Sequence, residues 1–305
     1  MKLFTSLLLL LLSFSTVAGI NGTKVVYGED NRKDLYEVRN PLFIKLANST
    51  AAMVQTKYLE KTSKGFAARI DVTLEDGLKV CPSERFSQQP LLSNCSGFLV
   101  GKNTIVTAGH CADGNHEQVC RDNVWIFDHK MEDSKHINLN EIKKSNVYLC
   151  KKVVKQMFNR DQDFAVITLD RDVIGREPLK FRKKGKVSSD ANLVVIGHPS
   201  MMPLKVSDGG SVLLNNGKYQ FTTNLDTFQG NSGSAVFNSD TGLLEGILVS
   251  GKTDYIPSDE RDAESCKVVN TCDNKGKNCM GSDRGTLGIP GENVTRITTL
   301  IQYIK

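Results

Sequence analysis

Past its first eighteen residues, this 305-residue chain has no apolar run able to cross a bilayer as a helix, which needs about 20 consecutive apolar residues. It has no internal repeat, no low-complexity tract and no long linker, so solenoid and fibrous architectures are excluded. Charge is not concentrated either. The formal net charge is +5, and the basic clusters, Lys151-Lys152 with Lys155 and Arg182-Lys183-Lys184 with Lys186, are short. A nucleic-acid or anionic-surface partner needs a larger continuous patch, so no nucleic-acid partner is expected. The eight cysteines match no common zinc-finger spacing. No metal or other cofactor is expected, although a zinc set of Cys81, Cys266, Cys272 and Cys279 stays open beside disulfides of unassigned pairing.

What is present starts at the N-terminus. Met1-Lys2-Leu3-Phe4 leads into uncharged Leu7 to Leu12, and the small residues Thr16-Val17-Ala18 follow. Residues 1–18 therefore read as a signal peptide, too short and wrongly flanked for a membrane span. The protein is expected to be secreted or periplasmic, with no membrane attachment after signal removal. In an oxidising compartment an even cysteine count favours disulfides. Cys95 and Cys111 bracket a hairpin turning at Gly101-Lys102-Asn103. Closing a loop of that size is worth about 3 kcal/mol in the chain-entropy model. Cys120–Cys150 is the second expected pair.

About 285 residues remain after the leader, room for a two-lobed unit. Their periodicity is mostly two. Strands are predicted over 98–100, 104–108, 124–127, 146–151, 164–169, 193–196, 212–214, 219–222, 235–237 and 243–249. Asn216-Gly217 marks a hairpin, since both residues tolerate positive φ. Many short strands point to a sandwich or barrel. One helix is predicted over 292–304, where Val294, Ile297, Leu300, Ile301 and Ile304 share a face. The polar, cysteine-bearing stretch 257–285 reads as a long stapled loop.

Three fragments carry chemistry. Gly230-Asn231-Ser232-Gly233-Ser234 offers a serine in a glycine-framed turn, Thr107-Ala108-Gly109-His110-Cys111 a histidine at a strand end, and Asp163-Phe164-Ala165-Val166-Ile167 an aspartate opening a strand. An alcohol is a poor nucleophile at neutral pH and needs a base, here His110. Asp163 would fix the imidazole tautomer. It is preferred over Asp161 because it abuts an apolar strand. His116, His129 and His136 lie in polar stretches and are expected at the solvent surface. His198, in Gly197-His198-Pro199, reads as a turn residue that can approach the cleft. The N–H groups of Gly230 and Ser232 would converge on a developing oxyanion, each such donor being worth about 3–4 kcal/mol. The α/β-hydrolase elbow is excluded by Ser234 in place of its second glycine, by the His, Asp, Ser order and by the absence of βαβ units.

These residues resemble the trypsin/chymotrypsin superfamily. Cys95-Ser96-Gly97-Phe98-Leu99-Val100 with Thr107 to Cys111 is similar to its histidine segment. Gly230 to Ser234 and Val25-Val26-Tyr27-Gly28-Glu29-Asp30-Asn31-Arg32 are closer to its bacterial glutamyl-endopeptidase branch. The resemblance implies an all-β fold of two packed six-stranded Greek-key barrels, about 40–170 and 171–290, within a peptidase domain 25–305. It also implies a secreted, monomeric serine endopeptidase acting on proteins or peptides. Asn231 stands where trypsin-like zymogens carry an activating aspartate, so activation by a freshly cut N-terminus is not expected. Signal removal alone, or loss of a short propeptide 19–24, would suffice. The resemblance places Asp226 and Thr227 in the substrate pocket and Val249-Ser250-Gly251 on its edge strand, which would pair with the substrate backbone. A carboxylate at Asp226 favours Arg or Lys substrates. The glutamyl branch's pocket histidine is replaced here by Leu248. Two alternatives stay open: glutamyl specificity with Asp226 turned away as a structural group, and a non-catalytic relative that only binds.

Overall fold

A computed structural model describes residues 25–259, 261–281 and 290–304. The expected signal peptide and propeptide lie outside the described residues. All ten predicted strand segments fall on strands, with ends that shift by one to several residues. Six of the strands form a closed antiparallel barrel in the order Val147–Phe158, Asp163–Leu169, Thr104–Thr107, Cys95–Gly101, Thr50–Gln55 and Asn123–Phe127, the last pairing back onto the first. A second group runs Asn192–Gly197, Ala235–Asn238, Leu244–Ser250, Glu292–Arg296, Gln220–Thr223 and Lys205–Leu214. It closes because Asn192–Gly197 also pairs with Lys205–Leu214. Arg32–Asp34 adds to the outside of that last strand.

The two-residue period explains why two barrels form and why they adhere. Along the first barrel, Leu99, Ile105, Ala165 and Ile167 point into its interior with Trp125 and Phe127. The alternate residues Phe98, Val106, Phe164 and Val166 point outward, yet they are fully buried. They meet Val194, Ile196, Ala235, Phe237 and Ile247 of the second barrel in one shared core. The opposite faces of those strands, Leu193, Val195, Val236 and Leu248, fill the second barrel with Phe221 and Val294. Strands buried on both faces read as near-continuous apolar runs. This layer is what brings Thr104–Thr107 and Ala235–Asn238, with the loops they carry, to one cleft.

The predicted C-terminal helix is not there. Glu292–Arg296 is a central strand, hydrogen-bonded to Gln220–Thr223 on one side and Leu244–Ser250 on the other. Single 3₁₀ turns at Ile297–Thr299 and Ile301–Tyr303 follow. The three-residue spacing of Val294, Ile297 and Leu300 arises from a strand running into 3₁₀ turns, and a helical period imitates it. Completing the barrel satisfies the backbone on both edges, which an amphipathic surface helix would not do.

All eight cysteines are paired: Cys81–Cys266, Cys95–Cys111, Cys120–Cys150 and Cys272–Cys279. The two expected bridges are present, and the open set resolves into two further disulfides, which leaves no thiolates for zinc. Much of the stretch read as a stapled loop is a hairpin, Tyr255–Asp259 with Asp262–Val269, fastened to Cys81; residues 260 and 282–285 lie outside the described residues.

Candidate active site

His110 follows strand Thr104–Thr107 and opens a 3₁₀ turn. The chain can leave the strand there because residue 109 is glycine: a Cβ would lie 1.9 Å from the Met157 carbonyl oxygen. Asp163 begins the neighbouring strand, whose register sets Ala165 opposite Thr107. One carboxylate oxygen, Oδ2, lies 2.7 Å from His110 Nδ1, and the other accepts the His110 backbone N–H at 3.0 Å. The carboxylate is thus bound by both the ring and the backbone of one residue, which fixes the imidazole's position as well as its tautomer. Asp163 is only 7 % exposed, whereas Asp161 stands in solvent. Phe158 packs 5.7 Å from the imidazole, and the Cys95–Cys111 bridge pins the turn to strand Cys95–Gly101.

Ser232 sits in the loop that enters strand Ala235–Asn238. Gly230 and Gly233 both hold positive φ, at 93° and 86°. A Cβ on Gly233 would lie 2.1 Å from the Ser96 carbonyl oxygen, so the loop can press onto the first barrel only with glycine there. The Ser232 carbonyl accepts from Ser96 N at 2.8 Å and lies 3.8 Å from Cys111 Sγ, directly beside the His110 turn. Ser232 Oγ makes no hydrogen bond to His110 among the described residues; in unliganded sites such bonds are often long and tighten only when substrate binds.

The backbone donors of this loop divide cleanly. Asn231 N–H goes to Phe228 O at 2.9 Å, Gly233 N–H to Leu248 O at 2.8 Å and Ser234 N–H to Asn231 O at 2.8 Å. Gly230 N–H and Ser232 N–H, by contrast, have no acceptor among the described residues, although both residues are buried. Buried backbone donors are paired in the great majority of cases. These two donors, without an acceptor among the described residues, lie two residues apart beside the histidine–aspartate pair, where N–H groups can receive an anionic oxygen.

A sequence profile of the trypsin-like peptidase domain matches residues 95–247. The chain belongs to that family. The match covers His110, Asp163 and Ser232. No curated protein matches the chain. Among solved structures, a Glu endopeptidase in complex with MPD is similar at 18 % identity and a TM-score of 0.48, over 92 % of this chain and 97 % of that one. An inactive form of Rv3671c from M. tuberculosis is similar at 13 % identity and a TM-score of 0.41, over 80 % and 90 %. As a trypsin-like serine peptidase, the protein has peptides or proteins as its substrate class. Among the described residues no helix is long and apolar enough to cross a membrane.

The pocket residues do not all stand where trypsin-like pocket chemistry would put them. Asp226 is 3 % exposed. Its Oδ1 accepts Tyr27 N–H at 2.7 Å and its Oδ2 accepts Asn31 N–H at 2.8 Å. Both oxygens are thus engaged by the N-terminal segment, as in the structural alternative above. Burial pushes the Asp226 carboxyl up to about 7, although those two N–H donors pull it down. Thr227 hydrogen-bonds through Oγ1 to Glu292, a fully buried carboxylate in the strand that sequence periodicity assigns to a helix. Sequence reading misses Glu292 for that reason. Gly251 lies against the same group: a Cβ there would stand 1.8 Å from Glu292 Oε2. Val249 is nearly buried, at a register shift between Leu248 and Ser250, and the Ser250 hydroxyl accepts from Asn293 Nδ2 at 3.1 Å. Cys95, His110 and Cys111 cluster closely enough to suggest metal ligation, but both sulfurs are in a disulfide.

His116 and His136 are exposed as expected, but His129 is not. It is 4 % exposed and stacks on His198, ring centroids 5.5 Å apart, behind the serine loop. The His198 backbone N–H donates to Ser96 Oγ at 2.9 Å, and that hydroxyl donates to Gly230 O at 3.0 Å. Polar flanking residues say nothing of a side chain folded under the neighbouring barrel. Burial, with nearby Lys205 adding to it, lowers His129 to about 3. Burial and then His129 lower His198 well below its ordinary value. The unfolded chain takes up protons near pH 6.5 that the folded chain refuses. Stability from these groups is therefore whole above that pH and is lost as pH falls toward 3. Urea unfolding between pH 7 and pH 4 is expected to show a stability loss of up to about 1.4 kcal/mol per pH unit per imidazole. His129→Leu is expected to flatten that dependence, and an unchanged slope would refute this account of the pair.

Proposed function

We propose that the protein is a secreted serine endopeptidase that forms an acyl-enzyme through Ser232. As the substrate carbonyl enters, His110 Nε2 takes the Ser232 hydroxyl proton while Oγ bonds to the carbonyl carbon. The carbonyl electron pair moves onto oxygen, which the N–H groups of Gly230 and Ser232 receive. Asp163, on Nδ1, stabilises the imidazolium. Collapse breaks the C–N bond, and His110 returns its proton to the leaving amine. Water then repeats the sequence and releases the acid, restoring Ser232. The observation that carries this reading is the pair of buried, unpartnered N–H groups flanking Asn231, beside a histidine already locked to its carboxylate. A relative that only bound peptides would have no use for a prepared oxyanion site.

Cleavage after Arg or Lys remains the proposed specificity. The family resemblance puts Leu248 where the glutamyl branch carries its pocket histidine, so the group that would bind a substrate carboxylate is missing. Asp226 and Glu292 are both engaged inside the protein: Glu292 accepts from the Tyr27 hydroxyl at 2.9 Å, from Lys252 N–H at 3.1 Å and from Thr227 Oγ1. A matched pair of peptide substrates ending in Arg or Glu tests this, and the Arg substrate is expected to be favoured. Preference for the Glu substrate would replace this reading with the glutamyl one.

A further inference from the structure

The engagement of Asp226 with the N-terminal segment belongs to a larger set of contacts. The Val25 carbonyl accepts Thr227 N–H at 3.3 Å, and the Arg32 guanidinium lies 3.9 Å from the Phe228 ring centroid. Arg32 is itself 1 % exposed and held by Asp30 at 2.8 Å. Val26 and Tyr27 pair with Thr271 and Cys272, so the segment is threaded into the body of the molecule. Residues 226, 227 and 228 are therefore each gripped by the segment 25–34. They lead directly into the serine loop, since Phe228 O receives Asn231 N–H. Tyr27 joins both acids of the region, giving its N–H to Asp226 and its hydroxyl to Glu292 at 2.9 Å.

We propose that Asp226 is a positioning residue: by accepting two backbone N–H groups of the N-terminal segment, it holds residues 226–229 in place, and the substrate pocket is complete only while that segment is seated. The proposal rests on the serine-peptidase reading and gives Asp226 a role other than contact with substrate. A carboxylate serves two inward-pointing N–H donors at once. An amide offers one oxygen and turns its NH₂ toward the second donor, so Asp226→Asn breaks one arm of the clamp. When the competent form is only partly populated, apparent substrate affinity falls by that fraction while turnover at saturation persists.

The test compares wild type, Asp226→Asn, Tyr27→Pro, Asn31→Pro and the double variant Asp226→Asn/Asn31→Pro. The two proline variants delete the two donors. Each single variant is expected to raise KM at least about tenfold for Arg-containing and uncharged substrates alike, with kcat within a few-fold. The double variant is expected to be no worse than its worse parent, because both remove one contact. Backbone amides 227–231 are expected to exchange faster in Asp226→Asn, a readout independent of activity. If Asp226→Asn does not fold, Asn31→Pro alone decides by the same KM and exchange criteria. Unchanged KM and exchange would overturn the proposal. So would a loss confined to the Arg substrate, which would make Asp226 a substrate contact, and so would additive effects in the double variant. An inactive wild type would sink the peptidase reading, and the exchange measurement would still decide the clamp.

Discussion

Ser232→Ala is expected to lower kcat on the order of 10⁶-fold while leaving the melting temperature unchanged. The two halves of this expectation come from different atoms. Ser232 holds the fold through its carbonyl, which receives Ser96 N–H, and its hydroxyl makes no hydrogen bond among the described residues. The proposed nucleophile is that same hydroxyl. A residual rate about 10³–10⁴-fold above the uncatalysed reaction is expected to survive, because the N–H groups of Gly230 and Ser232 still polarise a bound carbonyl. A fall in kcat accompanied by a lower melting temperature would mean that the hydroxyl also supports the fold. A variant that kept full activity would remove Ser232 from the reaction altogether.

Asp163→Asn is expected to cost about 10⁴-fold in kcat at neutral pH with little change in KM, the magnitude expected when the imidazole is held in the wrong tautomer. Asp163 accepts from both Nδ1 and the backbone N–H of His110. Asparagine keeps one acceptor, which the backbone N–H claims. Its NH₂ group then faces Nδ1 and obliges that nitrogen to be the bare acceptor, so the proton moves to Nε2. The nitrogen that should take the serine proton already carries one. Asp161→Asn is the control: Asp161 is exposed two residues earlier, and its replacement is expected to leave kcat unaltered. Equal losses in the two variants would contradict this assignment of the carboxylate.

The strands were legible as short apolar runs between turns, because those that build the shared core carry apolar residues on both faces, as Phe98 with Leu99 and Phe164 with Ala165 do; their closure into two barrels was implied by the family resemblance. Thr50–Gln55 was not legible. Its small residues, Ala51 and Ala52 among them, sit between two partner strands, where close approach matters more than bulk. Glu292–Arg296 was misread because its apolar residues continue into 3₁₀ turns at a spacing near that of a helix. The histidine, aspartate and serine were legible as local motifs, since each needs a particular turn or strand end to present it. The pocket was not. The partners of Asp226 lie 199 and 195 positions away, at Tyr27 and Asn31, and no local pattern encodes which way a buried carboxylate turns. The same holds for His129, whose neighbour His198 belongs to the other barrel.

An activated serine reacts with a fluorophosphonate, and an ordinary surface or buried hydroxyl does not, so the central claim has a direct measurement. The folded, leader-free protein is incubated with a fluorophosphonate probe at neutral pH and the modified residue is located by peptide mass mapping. The account predicts one adduct per chain, on Ser232, strongly reduced in Asp163→Asn and absent from Ser232→Ala. A folded protein that gives no adduct, or one that labels as fully in Ser232→Ala, would contradict it.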